Sequence, residues 1–325
     1  ILTSLNMKYQ EIIASLPKKE RWSGASYTYE YQGFWFSPFA LEGIISVQQR
    51  FQAQPSDILL CSAPKTGTTW LKALAFAIVT RNRFDDDNNH PLFNAVPHDC
   101  VPFLEVDLVD PHENKKDPEI MPLLSTHLPF SSLPKSIVSR GCKMVYICRD
   151  PKDTFVSYWH YLRRALPGGQ YDHVVERLSL EKELESFCDG STYYGPYWDH
   201  VLGYWKASIK RPDSVLFLKY EDLKRDTVFY VRKLGEFMGR AFTAEEERRG
   251  AAERIVELCS LEKLSGLEVN KSGKHRQGTP MSSNNYSFFR RGIVGDWKNL
   301  LTPEMQRRID EITEQKLRGS GFSFS

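Results

Sequence analysis

The sequence lacks the features of a membrane protein. No apolar run reaches the roughly 18 residues that a membrane-spanning helix needs, and the sequence does not open with a basic segment followed by an apolar one. On this pattern we expect a cytoplasmic protein that has no membrane partner.

Charge of one sign is not in excess either. The 325 residues include 43 basic and 41 acidic side chains, so the net charge is only +2. Such a balance provides no overall field for binding nucleic acid. We expect no nucleic-acid partner, and any site for an anion must be a local cluster of basic residues.

Cysteine is sparse and shows no pairing pattern. The six cysteines form no CxxC pair, the spacing that is typical of zinc sites and redox-active thiols. Scattered thiols of this kind are typical of a reduced intracellular protein. With 41% hydrophobic residues, the chain can bury a sizeable core. We expect residues 1–325 to form a single domain.

The hydrophobic pattern alternates strands with helices, which is typical of an α/β protein with a parallel, doubly wound sheet. The predicted strands are residues 57–61, 121–126, 143–148 and 215–218, and the predicted helices are residues 69–79, 151–164, 197–210 and 227–238. In such sheets, ligands bind beyond the carboxyl ends of the strands. Lys65, His127 and Arg149 all fall there, so we expect them to converge.

Three polar stretches are predicted to be loops, at residues 83–89, 110–117 and 265–286. The last is rich in glycine, serine, asparagine and lysine, so by itself it buries too little apolar surface to become ordered. We expect residues 265–292 to form a lid that closes over bound ligands. About 33 residues at the start, 1–33, are predicted to be an N-terminal extension.

The most informative segment joins the first predicted strand to the first predicted helix. It reads Ser-Ala-Pro-Lys-Thr-Gly-Thr-Thr-Trp over residues 62–70. Gly67 allows close approach of the backbone to a ligand, Lys65 supplies a cation, and the helix start offers free N–H groups beside Thr68 and Thr69. These properties favour an anion site. The nucleoside triphosphate P-loop differs, since its lysine follows the second glycine.

Two later segments repeat the pattern of basic residues at turns. Residues 143–157 read as a β-branched strand that ends at Arg149, followed by a helix with Asp150 as its N-cap and Pro151 in its first turn. Residues 288–298 place Arg290 and Arg291 beside two glycines. Together with residues 62–70, these segments resemble the cytosolic sulfotransferase family, particularly its plant branch, from about residue 34 to about residue 317.

The resemblance implies the chemistry of that family. Its members have a P-loop-like sulfotransferase fold and transfer a sulfuryl group from 3′-phosphoadenosine-5′-phosphosulfate (PAPS) to a hydroxyl or amine of a small molecule, leaving adenosine 3′,5′-bisphosphate (PAP). In plants the acceptors include secondary metabolites and hormones. No acidic pair with metal-ligand spacing lies near the anion loop, and we therefore expect a metal-free, in-line transfer.

The resemblance also assigns the residues that bind PAPS. Lys65 matches the lysine that contacts the phosphosulfate and stabilises the leaving group. Arg149 and Ser157 match ligands of the 3′-phosphate, and Tyr194 resembles a tyrosine that contacts adenine. The complete expected set is Lys65, Thr66, Gly67, Thr68, Thr69, Trp70, Arg149, Ser157, Tyr194, Cys259, Leu261, Phe289, Arg290, Arg291 and Gly292. Among these, Trp70, Cys259, Leu261 and Phe289 are assigned to the adenine side.

His127 is the predicted general base. A lone histidine is usually structural, but this one follows a strand in the family's Thr-His-Leu-Pro setting. An imidazole that titrates near neutrality suits removal of the acceptor's hydroxyl proton. Many animal members have a lysine two residues earlier, where this chain has Ser125. The departure places more of the charge stabilisation on Lys65.

The acceptor pocket is the least specific part of the sequence. Trp35, Phe36, Phe103 and Tyr161 are candidate lining residues, although each taken singly is more often part of a core. As a set they suit a flat or hydrophobic alcohol of the flavonoid, steroid or terpenoid type.

The residues of the anion loop disfavour two other functions, and a change near the C-terminus bears on the oligomeric state. A P-loop kinase or NTPase needs a lysine after the glycine and a carboxylate for magnesium, and neither is evident. A PAP-binding module that has lost catalysis is disfavoured because His127 and Lys65 are both present. The dimerisation motif of many animal relatives is altered here at Pro303 and Arg307, which favours a monomer.

Overall fold

The structure, a computed structural model, describes residues 9–21, 26–84, 89–108, 122–165, 178–279 and 281–324. The strands are β1 (Lys18–Arg21), β2 (Ser26–Tyr31), β3 (Phe34–Phe36), β4 (Ile58–Ser62), β5 (Leu123–Thr126), β6 (Lys143–Cys148), β7 (Val215–Lys219), β8 (Lys274–His275) and β9 (Ser283–Asn284). Among the described residues, no helix is long and apolar enough to cross a membrane.

The α-helices are interspersed with the strands along the chain. They are α1 (Pro38–Arg50), α2 (Thr68–Thr80), α3 (Pro97–Cys100), α4 (Leu104–Asp107), α5 (Lys135–Ser139), α6 (Pro151–Ala165), α7 (Leu180–Cys188), α8 (Tyr197–Lys210), α9 (Tyr220–Arg225), α10 (Thr227–Phe237), α11 (Ala244–Arg248), α12 (Ala251–Leu258), α13 (Leu261–Gly266), α14 (Glu268–Ser272) and α15 (Pro303–Leu317). Single 3₁₀ turns occur at Pro91–Phe93, Phe130–Ser132, Asn285–Phe288 and Asp296–Asn299.

The centre of the fold is a four-stranded parallel sheet in the order β5-β4-β6-β7. Its strands are nearly continuous runs of apolar residues because both faces are covered by helices. Successive side chains point to opposite faces. Thus Leu59 and Tyr146 join one hydrophobic cluster, whereas Leu60 and Val145 join the other. The parallel α/β sheet predicted from the sequence is therefore confirmed.

The predicted elements of this sheet lie close to those in the structure. Each of the four predicted strands and four predicted helices is present, with ends that differ by no more than two residues. Met121, the first residue of the second predicted strand, lies outside the described residues. Asp150 caps α6 as expected, since its Oδ1 accepts hydrogen bonds from the backbone N–H groups of Lys152 and Asp153, at 2.8 and 3.2 Å.

The polar stretch 265–286 was expected to be a loop without secondary structure, and this expectation is wrong for its described residues. They include α14, the β8–β9 hairpin and a 3₁₀ turn. Buried asparagines hold them together, because Asn270 donates to the carbonyl of Leu264 and Asn285 donates to that of Val269, each at 2.8 Å. Polar composition predicted exposure, but here the polar side chains satisfy buried backbone groups. Of the other two predicted loops, residues 85–88 and 110–117 lie outside the described residues.

The chain before the central sheet forms a second, antiparallel sheet in the order β1-β2-β3. Arg21 at the end of β1 is almost fully buried and pairs with Glu183 of α7 at 2.5 Å. The neighbouring basic residue of the same strand, Lys19, pairs with Asp189 at the surface. The buried pair thus ties the first sheet to the helical layer.

This difference in burial generates a stability prediction. Arg21→Ala leaves the Glu183 carboxylate buried without its cation, and breaking such a pair costs about 3–5 kcal/mol of unfolding free energy. Lys19→Ala removes an exposed pair and is expected to cost about 1 kcal/mol or less. Chemical denaturation of the two variants measures both values. Equal losses would show that burial of the Arg21 pair does not anchor the first sheet.

Candidate active site

A cavity of about 640 Å³ opens beyond the carboxyl ends of β4, β5 and β6. Lys65, His127 and Arg149, which follow these three strands, all line it. This is the edge of the sheet at which the topology places a ligand crevice.

The loop between β4 and α2 has a backbone that only certain residues tolerate. Gly67 has φ +117°, and a Cβ atom there would lie 2.9 Å from a ring carbon of Tyr220. Thr66 is buried, and its hydroxyl lies 2.9 Å from the carbonyl oxygen of Ala63 and 3.0 Å from that of Ile147. The loop is therefore held against β6, and the unpaired N–H groups at the start of α2 face the cavity edge.

Lys65 lies among positive charges. Its Nζ is 4.0 Å from the ring centroid of Tyr161. Burial, together with the nearby guanidinium groups of Arg290, Arg149 and Arg164, lowers the pKa of Lys65 to about 7. A cluster of cations that repel one another in a cavity is the electrostatic condition for binding an anion.

Two arginines retain unused donors in this cluster. Arg149 donates to the carbonyl of Ile293 at 2.7 Å and lies 3.6 Å from Asp153, and Arg290 pairs with Asp296. The Nε atoms of Arg149 and Arg290 are nevertheless buried and have no hydrogen-bond partner among the described residues. Buried donors without a partner are costly, so these two N–H groups are suited to an anionic ligand.

His127 presents one ring nitrogen to the cavity. Its Nδ1 lies 2.7 Å from the carbonyl oxygen of Ser62, which can only accept, so Nδ1 carries the hydrogen. Nε2 then carries the lone pair, and it has no hydrogen-bond partner among the described residues. Burial lowers the pKa of His127 to about 3. The imidazole is therefore neutral at physiological pH and can accept a proton at Nε2.

Buried polar groups fix the backbone of His127. Its carbonyl accepts a hydrogen bond from Nε2 of His200 at 2.9 Å, and Nδ1 of His200 accepts from the Tyr146 hydroxyl at 2.9 Å. The N–H of His127 donates to Glu105 at 2.8 Å. Burial raises the pKa of Glu105. These contacts hold the end of β5 from both sides.

The side of the cavity around His127 is aromatic. The ring centroid of His127 lies 4.7 Å from that of Phe103 and 5.3 Å from that of Tyr194. Phe103 in turn stacks on His98, with centroids 5.6 Å apart. Lys72 is buried beneath Phe103, where its Nζ donates to the carbonyl of Val101 at 2.9 Å.

Most of the residues predicted from the sequence line this single cavity. They are Lys65, Gly67, Thr68, Thr69, Trp70, Phe103, His127, Arg149, Ser157, Tyr161, Tyr194, Cys259, Leu261, Phe289, Arg290 and Gly292. Gly292 has φ +60°, and a Cβ atom there would lie 2.9 Å from a side-chain carbon of Leu261. The backbone at this position can therefore approach a ligand closely.

Four predicted residues do not line the cavity, and packing explains each one. Thr66 is engaged within the loop, as described above. Phe36 is fully buried behind Tyr194, with ring centroids 5.4 Å apart. Trp35 is part of β3, and its backbone N–H donates to the carbonyl of Gly195 at 2.9 Å. The Arg291 side chain is 58% exposed and pairs with Asp296 at 2.9 Å.

Tyr194 lines the cavity beside His127, and its ring contacts His127 and Phe36. Tyr220, which the sequence analysis missed, lines the cavity beside Trp70, with ring centroids 5.6 Å apart. The guanidinium of Arg149 lies 4.4 Å from the Tyr220 ring. Tyr220 directly follows β7, so it lies beyond the carboxyl end of a strand, as Lys65 does, and this position is a signal visible in the sequence.

Other residues of the cavity had no signal in the sequence. His98, His275 and Arg276 line it but come from segments far apart in the chain. Glu105 and Lys72 are buried behind the cavity wall, where their positions in the sequence resemble core positions. Among the described residues, no group of three or more acidic, histidine or cysteine side chains could hold a metal ion.

Comparisons with known proteins agree with one another. The sulfotransferase domain family matches residues 55–321. Cytosolic sulfotransferase 16 of Arabidopsis thaliana is 48% identical over 97% of this chain and 92% of its own length. Flavonol 3-sulfotransferase of Flaveria bidentis is 47% identical over 96% of this chain and 99% of its own length. The structure of mouse sulfotransferase SULT7A1 complexed with PAP has 28% identity and a TM-score of 0.67, covering 90% of this chain and 95% of that chain.

The surroundings of His127 generate a prediction about its charge. Because burial disfavours the imidazolium, the lowered pKa keeps His127 neutral at every pH above about 5. Ring-nitrogen NMR between pH 8 and pH 5 is expected to show one neutral tautomer of His127, with its hydrogen on Nδ1. A titration of His127 near the ordinary value of about 6.5 would contradict this environment.

Proposed function

The chain belongs to the sulfotransferase family and is a sulfotransferase, and on that premise we propose that it transfers a sulfuryl group from PAPS to a hydroxyl of a flat, hydrophobic acceptor. The observation that carries the proposal is one cavity that combines a cationic side with an aromatic side, and His127 lies on the aromatic side. Its Nε2 is unprotonated and has no partner among the described residues, so it is available to receive the acceptor's proton.

The cationic side suits the donor nucleotide. Arg149 and Arg290 have unpartnered Nε donors, which supports the assignment of the 3′-phosphate to them, with Ser157 and Gly292 alongside. Lys65 and the start of α2 are assigned to the 5′-phosphosulfate. The mouse relative was solved with PAP, which has both phosphates but lacks the sulfuryl group.

Aromatic and apolar residues on the same side are assigned to adenine. Trp70 and Tyr220 make an edge-to-face pair, and Cys259, Leu261 and Phe289 complete this wall. Tyr220 thereby takes the role that the sequence analysis gave to Tyr194. Tyr194 is reassigned to the acceptor side on the basis of its contact with His127.

The proposed chemistry is a single in-line transfer. His127 accepts the acceptor's proton at Nε2 while the acceptor oxygen forms its bond to sulfur. Its neutral state at physiological pH leaves the lone pair available. Lys65 stabilises the negative charge that develops on the departing phosphate oxygen. Ser125 is uncharged and supplies no cation to this step, and its hydroxyl donates to the carbonyl of Pro102 at 2.8 Å.

The aromatic side suits a flat acceptor. Phe103, Tyr161 and Tyr194 line it together with Phe288 and Met281, and a ring system can lie against such faces. The Flaveria relative is named a flavonol 3-sulfotransferase, so a flavonol-like phenol is the acceptor class that we favour. A hydroxyl on such a molecule would meet Nε2 of His127.

Four further assignments belong to this proposal. Residues 1–325 act as a single domain, and residues 265–292 form a lid over both substrates. Two polar ties support the lid, since His275 pairs with Asp99 at 2.6 Å and Arg276 pairs with Asp107 at 2.9 Å. A cytoplasmic location is proposed because the Arabidopsis relative is named cytosolic. A monomer is proposed because the dimerisation motif of animal relatives is altered at Pro303 and Arg307.

The proposal is tested by turnover with PAPS and a panel of phenols, with mass-spectrometric detection of the sulfated product. His127→Asn retains an N–H group that can donate to Ser62 but has no basic nitrogen. Turnover is expected to fall by about 10² to 10⁴, the usual contribution of a general base. PAP affinity, measured by calorimetry, is the control and should change by less than about threefold. Undiminished turnover in this variant would remove His127 from the mechanism.

A second prediction concerns the 3′-phosphate. Hydrogen bonds from Arg149 and Arg290 to a phosphate contribute about 1.5–3 kcal/mol each, so PAP is expected to bind at least about tenfold more tightly than AMP, which lacks that phosphate. Arg290→Ala should reduce this preference. Arg291→Ala is the matched control, because the side chain lies outside the cavity. Equal affinities for PAP and AMP would refute the assignment of the 3′-phosphate site.

A further inference from the structure

Two histidines on the acceptor side of the cavity each have a ring nitrogen without a partner. His98 and His275 both line the cavity, and each is only 5% exposed. Nδ1 of His98 and Nε2 of His275 are buried and make no hydrogen bond with the described residues. The two ring centroids are 5.5 Å apart. The roles described above use neither of these nitrogens.

The remaining contacts of these rings hold them in place. Nε2 of His98 lies 3.0 Å from the hydroxyl oxygen of Thr69, and Nδ1 of His275 lies 2.6 Å from a carboxylate oxygen of Asp99. Both rings also pack against Phe288, with centroids 4.3 and 5.9 Å away. The rings are therefore fixed by one nitrogen each and by packing, while the other nitrogen has no assigned partner.

The hydrogen-bond direction at His98 follows from the role of Thr69. The Thr69 hydroxyl has one hydrogen, and at the start of α2 that hydrogen is best donated to the anionic donor substrate. The hydroxyl oxygen must then accept from Nε2–H of His98. Nδ1 of His98 is left with a lone pair and needs a donor. This step rests on the proposed function.

His275 provides a second unpartnered nitrogen beside this one. Its Nδ1 lies 2.6 Å from a carboxylate oxygen of Asp99, and its Nε2 is left without a hydrogen-bond partner among the described residues. A hydroxyl group both donates and accepts, so it can donate to Nδ1 of His98 while it contacts Nε2 of His275. An ether oxygen lacks the hydrogen that His98 requires, and a C–H group satisfies neither histidine.

The position of the pair relates it to the reacting hydroxyl. Phe103 contacts both the proposed base and the subsite. Its ring centroid lies 4.7 Å from that of His127 and 5.6 Å from that of His98. The His98 ring is nearly parallel to Phe103, at 16°. A flat molecule lying along Phe103 can thus place one oxygen at His127 and another at His98 and His275.

We propose that His98 and His275 form a second hydroxyl-binding subsite, so that the enzyme selects acceptors with two hydroxyl groups, one that reacts at His127 and one that is held by this pair. The subsite contributes to binding and orientation of the acceptor. Arg276 nearby is held by Asp107 through two hydrogen bonds, at 3.1 and 2.9 Å.

Ordered water is the alternative partner of these nitrogens. A buried water that bridges His98 and His275 would satisfy both, and a second hydroxyl that displaced it would gain little. The two cases differ in whether removing the second hydroxyl from an acceptor weakens its binding, and that difference is measurable.

Direct binding to the PAP-loaded protein tests the subsite without requiring turnover. The probes are 2-naphthol, three dihydroxynaphthalenes that differ in the spacing of their hydroxyls, and the monomethyl ether of each. At least one dihydroxynaphthalene is expected to bind about 10- to 100-fold more tightly than both 2-naphthol and its own monomethyl ether, because those ligands leave His98 unpaired. Calorimetry gives each dissociation constant.

Two variants of His98 connect the preference to this residue. His98→Phe keeps a ring against Phe103 and has no acceptor, whereas His98→Gln keeps an amide that can contact Thr69 but has no acceptor at the position of Nδ1. Both are expected to lose the preference for the dihydroxynaphthalene while their affinity for 2-naphthol changes by less than about threefold. PAP affinity of His98→Gln is expected to be retained. With PAPS as donor, the loss should appear mainly in KM.

The outcomes separate this inference from the proposed function. Sulfation of naphthols without any preference for a second hydroxyl, or with a preference that survives in both variants, would overturn the subsite and leave the enzymatic activity standing. A preference in binding without sulfation of any probe would support the subsite and refute the proposed acceptor chemistry. Failure of every naphthol to bind would overturn the aromatic acceptor side on which the subsite depends.

Discussion

The constraint on which this active site depends is repulsion among cations in one partly buried cavity. Lys65, Arg149 and Arg290 follow different elements, yet they are close enough for the arginines to lower the pKa of Lys65 beyond the effect of burial. Such an arrangement costs free energy, and it persists only where the surrounding structure imposes it. The parallel sheet imposes it here, since the ends of β4 and β6 are fixed by main-chain pairing and by the hydroxyl of Thr66.

Two buried carboxylates reduce that repulsion and also organise the chain near the C-terminus. Asp153 lies 3.6 Å from Arg149 and accepts hydrogen bonds from the backbone N–H groups of Gly295 and Trp297, at 2.7 and 3.1 Å. Asp296 pairs with Arg290, and its pKa is lowered to about 2 by these contacts in spite of some burial. The segment that carries Arg290 is thereby attached to α6, and the positive charge is reduced but not removed.

The sequence predicted positions well where the function requires a particular backbone conformation. It predicted them less well where side-chain packing determines whether a residue reaches the cavity. Gly67, the strand ends and the order of the elements could be predicted because a loop of this shape and a parallel sheet leave few alternatives. The positions of Phe36 and Tyr194 could not be predicted. In a sequence, an aromatic residue that lines a cavity looks the same as one that packs behind the cavity wall. Residues 265–286 were misread because composition does not show that Asn270 and Asn285 are buried.

The cationic side also influences the histidines across the cavity. Burial is the largest cause of the lowered pKa of His127, and Lys72, His200 and Lys65 contribute to it. His98 has a pKa well below its usual range for related reasons, burial first and then Lys72 and His275. Binding of an anion offsets part of the contribution of Lys65, but burial and Lys72 remain. The charges that attract the donor substrate therefore also help to keep the base unprotonated, and one electrostatic arrangement serves both halves of the reaction.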